Sequence, residues 1–150
     1  GRHLGRGLAH QVINTAISGG RARGLVDQYE KEWVRWQPDM VVVNLAHNDT
    51  DPHSYRGALA DLARINGEKG IPTLFVLEPN APEQVRENLL PNHGILREVA
   101  RDHGFPVLDL HSCLGNDPDS GILWWDFVHL TSYGQELAAR CLLRELAPYL

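Results

Sequence analysis

The chain has 150 residues, of which 43% are hydrophobic and 22% charged, with a net charge of −5. That is enough for one globular domain, residues 1–150, with a buried core. The acidic balance leaves no basic face for nucleic acid, and no apolar run reaches the roughly 18 residues that cross a bilayer.

Residues 1–10 read as the tail of a loop or short helix, and Gly1, Gly5 and Gly7 argue against a stable helix start. Gln11–Asn14 is expected to form a short strand, running into a turn at Ser18-Gly19-Gly20. Leu25, Val26, Tyr29, Trp33 and Val34 recur at three- and four-residue steps, which predicts a helix from Gly24 to Trp36, ended by Pro38. Met40–Ala46 is a short β-branched apolar run, the pattern of a strand buried on both faces. After the loop His47–His53, a helix is predicted from Ser54 to Lys69, with Leu59, Leu62, Ala63 and Ile65 inward and Gly70 as its stop. Thr73–Leu77 and Pro106–Leu110 read as two more buried strands. Between them a helical region spans Glu83–His103, interrupted near Pro91, with Leu96, Val99 and Ala100 on one side. A polar loop follows from Gly115 to Gly121. The last helix spans Thr131–Leu146, with Leu137, Ala138, Cys141, Leu142 and Leu146 facing in. Strand and helix alternating with short links predict an α/β fold with a mostly parallel, doubly wound sheet. Cys113 and Cys141 are too few for a disulfide framework or a zinc site of their own. They read as structural, either buried thiols or a pair.

In an open α/β sheet, ligands bind at the carboxyl ends of the strands. Three loops at such ends carry unusual residues: Ser18-Gly19-Gly20, His47-Asn48-Asp49 and Asp126-Phe127-Val128-His129. A carboxylate three residues before an imidazole can fix the ring's tautomer and leave the other nitrogen free to take a proton. Glycine allows close approach of a backbone N–H. An Asn amide is a neutral donor suited to a developing oxyanion. Together these are three of the four parts of an acyl-transfer site.

These blocks resemble the SGNH (GDSL) hydrolase family of esterases and lipases. Asn14-Thr15-Ala16-Ile17-Ser18-Gly19 is similar to its second block. Ala46-His47-Asn48-Asp49 is similar to the third, with Ala46 in place of the usual glycine. Asp126-x-x-His129, followed by Leu130-Thr131 and Gly134, is similar to the last. The likeness runs from Gln11 to Leu146. It implies a flavodoxin-like, three-layer α/β/α fold and a carboxylic ester hydrolase that needs neither a metal nor an organic cofactor. His129 would be the base, Asp126 its partner, Gly19 and Asn48 the oxyanion donors, and Asp49 a support for the Asn48 loop. The substrate would be a small ester, of an acetylated carbohydrate or a lipid.

The first block of the family, Gly-Asp-Ser at the end of a central first strand, has no match in residues 1–150. The expectation is therefore that the nucleophilic serine and the first strand lie upstream of Gly1, in the same polypeptide or in a separate N-terminal fragment of the same protein. Among internal serines, Ser18 adjoins the oxyanion glycine but is not the family's nucleophile position. Ser120 follows no strand, and Ser112 lacks a glycine-rich elbow. His47, Asp49, Asp51 and His53 superficially resemble a metal cluster, but Pro52 imposes a turn that separates them. Trp124 and Trp125 either line an acyl or sugar pocket or pack in the core. Two rival readings are a non-catalytic member of the fold that binds a glycan or protein partner, and a flavodoxin-type small-molecule binder. The Ser18-Gly19-Gly20 loop lacks the phosphate-loop spacing that the second requires.

Overall fold

Three apolar runs pair side by side in the computed structural model of the chain, which describes residues 11–81, 85–115 and 122–148. They are β1 (Val41–Val43), β2 (Thr73–Leu77) and β3 (Val107–Asp109), all parallel and in that spatial order. Val43 pairs with Phe75, and Phe75 in turn with Val107. Parallel neighbours need crossover connections, which helices supply. Helix α1 (Ala22–Gln28) leads into β1, α2 (Pro52–Lys69) joins β1 to β2, and α3 (Leu89–His103) joins β2 to β3. Helices α4 (Leu110–Gly115) and α5 (Ser132–Leu146) follow.

Successive strand side chains point to opposite faces, and β2 is buried on both, as its unbroken apolar run requires. Phe75, Leu77 and Val43 pack with Val26, Tyr55, Leu59 and Leu96 from the α1–α3 side. Leu74, Val76 and Leu108 pack with Leu114, Ala138 and Cys141 from the α4–α5 side. This is the three-layer α/β/α arrangement, and the inward residues expected of α2, α3 and α5 are those that bury or half-bury.

Several boundaries differ from the sequence expectation. The strand expected at Gln11–Asn14 does not form. Val12 and Ile13 are exposed, no strand among the described residues pairs with them, and Asn14 turns the chain by accepting the Ala16 N–H at 2.9 Å. Helix α1 starts two residues early, because Asp49 caps it from across the fold. It then widens to a π turn over Tyr29–Trp33 and tightens to a 3-10 turn over Val34–Trp36. The Tyr29 hydroxyl donates to Asn66 at 2.6 Å, and burial pushes the phenol up to about 12. Helix α2 starts at Pro52, because the Asp51 carboxylate accepts from the His53 and Ser54 N–H groups. It stops at Gly70, whose φ of 66° is left-handed. Pro91 does not interrupt α3 but sits in its first turn, where a missing N–H costs nothing. Helix α4 takes over directly from β3, where the sequence suggested a strand running on into a loop. Cys113 of α4 and Cys141 of α5 form a disulfide.

Candidate active site

The residues before α5 fold into a tight antiparallel loop. Trp124 bridges Leu130, the Trp125 N–H donates to the His129 carbonyl at 2.8 Å, and the Thr131 N–H donates to the Leu123 carbonyl at 2.8 Å. Thr131 then caps α5 by accepting the Gly134 N–H at 3.1 Å. A Cβ on Gly134 would stand 2.4 Å from the Leu123 carbonyl oxygen, so only glycine lets the helix approach this loop. Gly134→Ala is expected to lower stability by about 1–3 kcal/mol from overpacking, despite alanine's better helix propensity. Chemical denaturation checks this, and an unchanged midpoint would show that the loop yields freely.

At the tip of the loop, Asp126 is held by its own backbone. Its Oδ1 accepts from the Val128 and His129 N–H groups, both at 2.8 Å, and its Oδ2 lies 2.7 Å from His129 Nδ1. The His129 hydrogen bond, with help from the two backbone donors, pulls the carboxyl down to about 2. An anion facing Nδ1 favours the proton on that nitrogen and leaves the lone pair on Nε2. The imidazole is 74% exposed and so open to a reacting partner.

The second half of the site is built where the Ser18–Gly20 turn meets the loop after β1. The turn closes through the Gly20 N–H on the Ile17 carbonyl at 2.9 Å, with Gly19 at φ 70°. Asn48 Nδ2 donates to the Gly20 carbonyl at 3.1 Å, which fixes the amide and uses one of its two hydrogens. Buried Asp49 accepts the Ala22 N–H through both oxygens, at 3.2 and 3.0 Å, so it locks this loop onto the start of α1. Burial, the largest influence, raises the Asp49 carboxyl above its ordinary value.

Beneath Asn48 lies a polar scaffold that the sequence did not reveal. Glu78, at the end of β2, accepts the Ala46 and His47 N–H groups at 2.8 and 2.7 Å and faces His47 Nδ1 at 2.8 Å. His47 Nε2 lies 3.3 Å from Asn80 Oδ1. Asn88 and Asn92, at the start of α3, donate to the Ala46 and Asp49 carbonyls, Asn92 at 2.8 Å to each. The one available signal was Glu78-Pro79-Asn80 directly after a buried strand, since a carboxylate there needs partners.

The fold thus brings Asp126 to His129, and Asn48 to the Gly19–Gly20 turn. No hydrogen bond joins Asn48 to His129. The metal-like cluster is dispersed: Asp51 caps α2, Asp49 holds Ala22, and His47 faces Glu78. Ser18 is exposed in its turn. The Ser112 N–H donates to Asp109 at 2.7 Å within the β3–α4 junction. Ser120 and the polar run Asn116–Gly121 lie outside the described residues. Trp125 does not enter the core but stands 77% exposed beside Asp126.

Residues 1–137 match the GDSL-like lipase/acylhydrolase family. An acetylxylan esterase of Geobacillus stearothermophilus is 24% identical over 160 residues, spanning 93% of this chain and 73% of that protein. Among solved structures, the lipase/acylhydrolase from Enterococcus faecalis superposes with a TM-score of 0.74 at 23% identity, over 88% of this chain and 73% of its own. The crystal structure of an acetylxylan esterase from Geobacillus stearothermophilus gives a TM-score of 0.76 at 19% identity, over 89% and 71%. At these identities the superpositions speak for the α/β fold.

Proposed function

The chain belongs to the GDSL-like lipase/acylhydrolase family and is at that level a carboxylic ester hydrolase, and on this premise we propose that His129 is the general base of a serine esterase. The observation that carries this reading is the 2.7 Å contact between Asp126 and His129 Nδ1, on a loop whose backbone also binds the carboxylate. The nucleophile in this reading is the serine of a Gly-Asp-Ser block, which residues 1–150 do not contain. As its oxygen attacks the ester carbonyl, His129 Nε2 takes its proton. The imidazolium then delivers that proton to the leaving alcohol, with Asp126 stabilising the cation. The oxyanion rests on the Gly19 N–H and on the second amide hydrogen of Asn48.

The acyl group we favour is acetyl, and the alcohol a carbohydrate. Exposed Trp125 beside Asp126 offers a flat apolar face for a sugar ring. The similarity to an acetylxylan esterase points the same way. Hydrolysis of acetylated xylo-oligosaccharides, compared with esters of long acyl chains, tests this, and preference for the long chains would overturn the substrate reading. Asn48→Ala should lower kcat on the order of 10²-fold, the usual loss of one oxyanion donor. An unaffected kcat would remove Asn48 from the oxyanion hole.

A further inference from the structure

The two halves of the proposed site sit on different loops, and one side chain reaches both. Arg86, just ahead of α3, donates from its guanidinium to the His47 carbonyl at 3.0 Å. The same guanidinium lies over the Phe127 ring, 5.1 Å from its centroid. His47 immediately precedes Asn48, and Phe127 lies between Asp126 and His129. Among the described residues, no hydrogen bond or ring contact runs directly between these two loops. Asn88 and Asn92 bind the Asn48 loop to α3. The segment after β2 also meets both loops, but through two residues: Asn80 Oδ1 lies 3.3 Å from His47 Nε2, and the Ala81 N–H binds the Phe127 carbonyl at 3.0 Å. Arg86 is the one described side chain that touches both.

We infer that Arg86 is a positioning residue that sets the distance between the oxyanion loop and the histidine loop. The inference rests on the proposed triad and goes beyond it. A guanidinium is a flat fork whose edge donates while its face stacks, so it can satisfy a carbonyl and an aromatic ring at once. An ammonium offers a point charge without that geometry. Acyl transfer is sensitive to placement on this scale, since a misplacement of about 1 Å can cost on the order of 10²-fold in rate. Because Asn88 still binds the His47 carbonyl when Arg86 is removed, the loops should stay folded and lose only their mutual register.

The test is a double-mutant cycle in the catalytically competent protein, with Arg86→Met, Phe127→Leu and the pair. Each single variant should lower kcat on the order of 10-fold with KM changed by less than about 3-fold. The pair should be little worse than either single, because both remove the same contact. Arg86→Lys should behave like Arg86→Met. In the 150-residue chain itself, each single variant should move the NMR signals of both the Asn48 amide and the His129 ring.

An unchanged kcat, multiplying losses in the pair, or full rescue by Lys would overturn the inference. Rescue by Lys would instead assign Arg86 a plain electrostatic part. His129→Ala separates the two levels. Retained activity there sinks the base assignment, whereas an inactive His129→Ala beside a normal Arg86→Met sinks the positioning role alone.

Discussion

Replacing His129 by alanine in the catalytically competent protein is expected to lower kcat on the order of 10³-fold or more, with the fold intact. The reason for expecting both together is local. The ring is 74% exposed, and its one hydrogen bond among the described residues goes to Asp126, so truncation leaves no cavity and no orphaned buried group there. The loop does not depend on the ring either. Asp126 Oδ1 continues to accept the Val128 and His129 backbone N–H groups, and the Trp125 and Thr131 N–H groups keep their carbonyl partners. A fall in kcat therefore reports lost proton transfer rather than lost structure. Asp126→Ala would be a poorer test, because it removes the tautomer's partner and the loop's staple in one step. Steady-state kinetics with thermal unfolding of the same preparation checks the prediction. Near wild-type kcat in a folded His129→Ala protein would remove the imidazole from the mechanism, and the Asp126 partnership with it.

How much of this could be read from the sequence follows the range of the contacts involved. The Asp126/His129 pair was legible because its members lie three positions apart, so a single loop closes it. The strand β2 was legible to the residue because an unbroken apolar run, flanked by turn formers, admits little else. β1 was overextended toward Ala46. Leu45 and Ala46 are apolar, yet the Ala46 backbone leaves the sheet to meet Glu78 and Asn92, more than thirty residues away. The same reason hides Arg86, Asn88 and Asn92. On their own they are ordinary polar residues before and within a helix, and only the crossover from β2 to α3 carries them under the Asn48 loop. In the sequence Asp49 reads as a support for its own loop. Its partner turned out to be the Ala22 N–H, which also explains why α1 starts earlier than its apolar periodicity suggested. The strand expected at Gln11–Asn14 failed for a further reason. The β-branched pair Val12 and Ile13 describes a chain that can pair, and it does not supply a neighbour.

Reducing the Cys113–Cys141 disulfide is expected to lower the unfolding free energy by roughly 3–4 kcal/mol, the chain-entropy value for a loop of this size. The two cysteines lie 28 residues apart in sequence. The effect should approach that full value because of what else holds α5. Along this helix only Gly134, Ala138 and Cys141 are buried, so few large apolar side chains anchor it. Leu137, Leu142 and Leu146 are only partly covered where they pack against the cluster around Leu74, Leu108 and Leu114. Burying a full leucine contributes about 1.5–3 kcal/mol, so one cross-link weighs as much as one or two such anchors. The Asp126–His129 loop should feel this less than the helix does. Its link to α5 runs through Thr131, Leu123 and Gly134 at the opposite end from Cys141. The expected pattern is a lower denaturation midpoint in reductant, or in Cys113→Ser/Cys141→Ser, with kcat at moderate temperature changed by less than about 3-fold, as for sites that share no contacts. If the midpoint stayed where it was, α5 would have to be anchored by packing rather than by sulfur. A parallel fall in kcat would show instead that the helix and the Asp126–His129 loop unfold as one unit.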